Sequence, residues 1–293
     1  MIEDGTSIFW NFEHTNPEVE GASDACLVFL NAYASEAWDR PSLTDAASDE
    51  LVLNVASKCA NTMVFIHNAG IRLVDAFADH PNVTAIMYAH LPGQDGGRAL
   101  EKIIYGDVSP SGRLPYTVAK KAGDYGDLLN PCPGSINNTN PQCDFTEGVN
   151  IDYRGFLARN VTPLYEFGYG LTYSSFNYSD FSISLQQNAT ATAGLMDVVG
   201  TVSIRVANTG NYTTAEVSQL YLQIPGASTR TLRGFAKTEI APGATKPVTF
   251  ELRKKDLSEW DVVKQQWVQP NGTYQISVGK SVLDVQLKGT FSL

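Results

Sequence analysis

Two residues of this chain are of types that do chemistry at close quarters. They are Glu36 and Trp38, in the stretch CLVFLNAYASEAW from Cys26 to Trp38. A carboxyl group can exchange a proton with a reacting oxygen. An indole two residues away offers a broad apolar face that can stack on a sugar ring. The pair suits carbohydrate chemistry; a solvated loop acid is the plainer reading of Glu36. The stretch opens on the apolar run Cys26–Leu30, which reads as a strand buried on both faces. The polar residues from Asn31 onward then leave the carboxyl end of that strand, the edge at which open α/β sheets bind ligands.

Other chemistry is poorly represented. The four histidines, at positions 14, 67, 80 and 90, lack the spacing of metal ligands, and loop or packing roles suit them better. No G-x-G-x-x-G follows a strand, which counts against a nucleotide cofactor. The net charge of −10 leaves no basic stripe to neutralise phosphates, so nucleic acid is not an expected partner. No apolar run reaches the length of a membrane helix.

The elements that must position Glu36 follow from periodicity. Asp45 and Ser48 are helix-capping types, Asp49 and Glu50 suit a first turn, and Leu51, Val55 and Cys59 mark a helix face. Thr62–Ile66 is a second buried strand, Ile71–Ala78 a short helix, and Val83–Tyr88 a third strand. A helix over about Asp95–Tyr105 is expected to bury Ala99, Leu100, Ile103 and Ile104. Strand–helix alternation with short links predicts a parallel sheet covered by helices on both faces. Three polar loops, at 32–39, 67–70 and 89–94, then emerge along one edge as a single candidate site.

Regular periodicity is lost from Asp107 to about Ser175. Aromatic residues interleaved with glycine, as in FGYGLTY (Phe167–Tyr173), suit either a sugar-lined groove or an irregular linker packed on a domain. From Phe176 the texture alternates. Strands are expected at Val198–Ala207, Val217–Ile224, Lys237–Ile240, Pro247–Leu252, Trp267–Gln269, Tyr274–Val278 and Val285–Leu287, which make a β-sandwich.

Seven N-x-S/T sequons, at Asn82, Asn137, Asn160, Asn177, Asn188, Asn211 and Asn271, lean towards a glycosylated secreted protein. The N-terminus has no apolar run of the signal-peptide kind. These two readings together suggest a chain whose front lies elsewhere. Four cysteines fit a secreted protein. Cys132 and Cys143 could close a small ring, and Cys26 and Cys59 could meet across adjacent parallel strands. Three pairings are open.

Four blocks carry a family resemblance: NAYASEAWDRPSL (Asn31–Leu43), IHNAG (Ile66–Gly70) with LPGQDGGRALEKIIYGDVSPSGRLPYT (Leu91–Thr117), IDYRGFLARNVTPLYEFGYGLTYSSF (Ile151–Phe176), and LRGFAKTEIAPGATKPVTFELRKKDLSEWD (Leu232–Asp261). Over these the chain resembles the C-terminal half of secreted fungal-type β-glucosidases of glycoside hydrolase family 3. The resemblance implies an α/β sandwich domain over 1–125, an irregular linker over 126–180 and a fibronectin type III-like domain over 181–293. It also implies a preceding barrel, not seen in this chain, that carries the nucleophilic Asp. Glu36 falls at the family's acid/base position and Trp38 at its aglycone subsite, where many members have Gly and Tyr after the Glu. Asp39 and Arg40 are given no chemical role. The implied substrates are β-glucosides and cello-oligosaccharides, with no cofactor. β-Xylosidase, β-N-acetylglucosaminidase and a non-catalytic glycan-binding scaffold stand as alternatives.

Overall fold

The computed structural model describes residues 5–12, 15–21, 23–37, 40–129, 144–186 and 193–293. The chain divides into two compact units. One comprises Met1–Tyr105 with Val118–Pro131, the other Gly106–Thr117 with Cys132–Leu293.

The first unit is built on a parallel sheet of β1 (Cys26–Ala32), β2 (Thr62–Asn68) and β3 (Val83–Tyr88) in the order β1-β2-β3. Residues Cys26 to Ala32 pair in register with Thr62 to Asn68. Helix α1 (Ala46–Ala56) packs on β1 and β2. Its N-cap is Asp45, whose carboxylate accepts from the Ala47 amide at 3.2 Å and the Ser48 hydroxyl at 2.5 Å. These bonds hold the Asp45 carboxyl below its ordinary range. The buried helix residues are Val52, Val55 and Ala56, so the packed face is turned slightly from the expected Leu51–Val55–Cys59 row. Cys59, just past the helix, forms a disulfide with Cys26, Cα to Cα 6.4 Å. Closing that 33-residue separation stabilises by about 3–4 kcal/mol through restriction of the unfolded chain. The ring expected from Cys132 and Cys143 lies outside the described residues.

Three expectations are corrected. β1 is buried on one face rather than on both: Val28, Leu30 and Ala32 are buried, while Phe29, on the opposite face, is 52% exposed and stacks on Phe65. Helix α2 (Gly96–Ile104) has no fully buried residue. Leu100, Ile103 and Ile104 are half-buried and Ala99 is exposed. Residues 71–78 form no helix. Arg72, Leu73 and Val74 are consecutively buried, which a helix packed on one face does not allow. The Leu73 amide bonds instead to the Leu43 carbonyl at 2.9 Å.

The second unit is a β-sandwich. One sheet has the order β12-β11-β6-β7, the other β4-β5-β8. The strands are β4 (Phe176–Leu185), β5 (Val198–Asn208), β6 (Thr214–Gln223), β7 (Thr231–Ile240), β8 (Thr245–Arg253), β11 (Thr273–Gly279) and β12 (Val285–Ser292). A small hairpin of β9 (Glu259–Asp261) and β10 (Gln266–Val268) stands beside them. Inward residues such as Ile204, Leu220, Phe250 and Ile276 form the core; they alternate with more exposed residues in β5 and β8, whereas residues 218–222 of β6 are buried on both faces. The irregular stretch before β4 is fastened to this sandwich. It contains a short helix, α3 (Tyr153–Ala158). Asp152 caps α3 and also accepts from the amide and hydroxyl of Thr117, both at 2.9 Å. Gly168 (φ +81°) carries no Cβ where one would meet the Gln219 amide group at 2.1 Å, and its carbonyl accepts from Gln219 Nε2 at 3.0 Å.

Candidate active site

Parallel pairing brings the carboxyl ends of all three strands of the first unit to one edge. Asn31 is level with His67, Ala32 with Asn68, and Ile66 with Tyr88. The ladder runs on past the strands: Ala69 N donates to Ala32 O at 3.3 Å and Ala89 N to Ile66 O at 2.8 Å. The loops at 33–37, 68–70 and 89–94 therefore leave the sheet together.

Glu36 sits in a turn of the first loop with its side chain exposed. Ala37, directly after it, has φ +69°. That left-handed backbone is costly for a residue with a Cβ and free for glycine. Trp38, the second site residue expected from the sequence, lies outside the described residues.

The loop that carries Glu36 is tethered to the next one. Arg40 donates from Nη2 to the carbonyl of Ile71. Asn68 Nδ2 donates to Gly70 O at 2.7 Å, and the Tyr88 hydroxyl to Arg72 O at 2.8 Å. Arg72 is 2% exposed and pairs with Asp49 at 2.7 Å. It also donates to Leu73 O, and its guanidinium lies 5.4 Å from the Phe77 ring. Segment 70–73 is thus a strap, with three carbonyls held by side chains from the loop after β1, the end of β2 and the end of β3. Sequence reasoning read this segment as the start of a helix and missed the strap. The one available signal was Arg72, a charged residue between the apolar Ile71 and Leu73.

In the third loop, His90 has φ +53°, and burial pushes its imidazole below the ordinary histidine value. Leu91, beside it, is 72% exposed. Among the described residues no group of three or more His, Cys, Asp or Glu side chains is arranged to hold a metal ion. What the edge offers is an accessible carboxyl group set on a tethered loop.

Residues 11–173 match the glycosyl hydrolase family 3 C-terminal domain, and residues 216–282 match the fibronectin type III-like domain. The chain belongs to glycoside hydrolase family 3. It is 52% identical to a probable beta-glucosidase M of Neosartorya fischeri, with 99% of this chain and 39% of that protein aligned. It is also 52% identical to beta-glucosidase cel3A of Pyricularia oryzae, over 97% of this chain and 38% of that one. Among solved structures, the beta-D-glucoside glucohydrolase of Trichoderma reesei superposes with a TM-score of 0.84 at 37% identity, covering 92% of this chain and 40% of that chain. Beta-glucosidase D2-BGL from Chaetomella raphigera gives 0.85 at 38% identity, covering 93% and 40%. The family 3 chain described here therefore spans about two-fifths of the length of the curated relatives it matches.

Proposed function

We propose that this chain supplies the acid/base half of a retaining β-glucosidase that releases terminal glucose from β-glucosides and cello-oligosaccharides. The observation that carries the reading is the position of Glu36, accessible at the carboxyl edge of β1, in a block that resembles the family's acid/base loop. Retaining hydrolysis needs a second carboxyl group about 5–5.5 Å away. We assign that nucleophile to an Asp on a barrel outside this sequence. Glu36 protonates the leaving oxygen, then takes a proton from the attacking water. Closure against the barrel supplies the burial that keeps an acid protonated near neutral pH. Trp38 stacks on the aglycone.

The apolar surface of the first unit supports a covering partner. Phe9, Trp10 and Phe12 are 64%, 73% and 89% exposed, and such clusters mark interaction surfaces. The sequon residues Asn160, Asn177, Asn211 and Asn271 are exposed, which suits a glycosylated parent working outside the cell. An aryl β-glucoside assay on the purified chain tests the division of labour. The expected result is no turnover above buffer. Turnover that is lost in Glu36→Gln would mean that the chain holds both carboxyl groups.

A further inference from the structure

The second unit contains a cavity of about 180 Å³ between the Tyr169–Phe176 segment and the turn at Lys280–Asp284. The proposed hydrolysis makes no use of it. Arg113 and Glu216 line it as a buried pair, Nη2 to Oε2 2.8 Å, with side chains 8% and 1% exposed. The second Glu216 oxygen accepts from the Tyr178 hydroxyl at 2.8 Å. Arg113 Nε is buried and has no hydrogen-bond partner among the described residues. Gly170 brings the aromatic segment down onto this arginine: a Cβ there would lie 2.4 Å from the Gly112 carbonyl oxygen and 3.1 Å from Arg113 Cδ. Lys280 and Asp284 complete the wall, with the rings of Tyr169 and Phe176.

Charge and size select the ligand. The lining carries two cations, Arg113 and Lys280, and two carboxylates, Glu216 and Asp284, so their charges sum to zero and select neither an anion nor a cation. It offers donors and acceptors side by side, next to aromatic carbon. A hydroxyl group is both donor and acceptor, and a sugar ring carries several around an apolar face. A cavity of about 150 Å³ admits a benzene ring, so this one accommodates a single six-membered ring. We propose that the cavity binds one pyranose ring, as a free hexose or as the end residue of an oligosaccharide. FGYGLTY then forms the wall of a sugar site as well as fastening the linker to the sandwich.

Amide NMR spectra of the whole chain titrated with D-glucose, and in parallel with cellotetraose, test this. The expected result is a set of shifts at Gly170–Ser175 and Lys280–Asp284, with a dissociation constant on the order of millimolar. Loss of one charged hydrogen-bond partner should weaken it about tenfold in Lys280→Ala and in Asp284→Ala. Leu171→Trp, at an exposed position of the rim, should block entry and give the same loss without touching the buried pair. Glu36→Gln should leave these shifts unchanged, so failure of the hydrolase reading and failure of this one are distinct. Shifts confined to residues 33–37, 67–70 and 89–94, and abolished by Glu36→Gln, would overturn the proposal. So would saturation by acetate below the glucose concentration needed, which would mark an anion site, or the absence of any shift.

Discussion

Arg40 holds the carbonyl of Ile71, and through that one bond the loop after β1 is fixed to the loop after β2. Glu36 lies four residues before the arginine, so its position depends on the tether. Arg40→Ala removes a charge-assisted hydrogen bond at a half-buried site, and the expected cost is about 1–2 kcal/mol. Hydrogen exchange should speed up at the amides of residues 33–37 and 70–73 and stay unchanged in the sandwich strands. Uniform loss of protection across both units would show a global effect instead.

Ala37 provides a second check on the same loop. With φ at +69°, the residue bears a steric cost that glycine does not. Ala37→Gly should stabilise the first unit by about 0.5–1 kcal/mol, read as a higher urea midpoint. A destabilisation of similar size would mean that the loop has a different backbone in solution.

His90 sets a pH dependence with a definite sign. Its folded pKa lies below the unfolded value near 6.5 because burial disfavours the imidazolium. Between the two values the unfolded chain binds more protons, so stability rises with pH there. The contribution is complete above about pH 6.5 and is lost as pH falls through the folded value. Urea unfolding at pH 7.5 and pH 5 should differ more for the wild type than for His90→Asn, since asparagine also tolerates the left-handed backbone at φ +53°. Equal differences in the two proteins would show that His90 does not carry the dependence.

Glu216→Ala should be among the most damaging single changes in the sandwich. It leaves the Arg113 guanidinium buried without its carboxylate and removes the acceptor for Tyr178. Breaking a buried pair on one side costs about 3–5 kcal/mol. Chemical denaturation followed by the fluorescence of Trp260 and Trp267 would read it. A cost below about 1 kcal/mol would mean that water reaches the pair.

Much of this architecture was legible in the sequence. β1, β2 and β3 announce themselves by short apolar runs, and their parallel order follows from the links between them. Strands such as β8 and β12 alternate because one face is wetter and the other packed. What stayed hidden depends on contacts far apart in the chain. β4 changes phase at an irregularity between Ser179 and Ser182, and β9 is only three residues long, so both are defined by their partners. α3 is nucleated by Asp152, which is held by Thr117, 35 residues away. Residues 71–78 have the composition of a short helix, but the consecutive burial of Arg72, Leu73 and Val74 comes from contacts that the sequence does not display. The sequence placed Glu36 in the loop after β1, and the exposure of its side chain agrees with its plainer reading as a solvated loop acid.

The direct measurement of the central claim is leaving-group dependence in Glu36→Ala, with this chain joined to the barrel that carries the nucleophile. General acid catalysis is worth about 10²–10⁴-fold, and cellobiose, whose leaving group must be protonated, should lose that much. Nitrophenyl glucoside should keep most of its glycosylation rate, because nitrophenolate departs without a proton, and azide should restore turnover by attacking the glycosyl-enzyme without a general base. Equal slowing of both substrates with no rescue by azide would contradict the assignment of Glu36 as the acid/base.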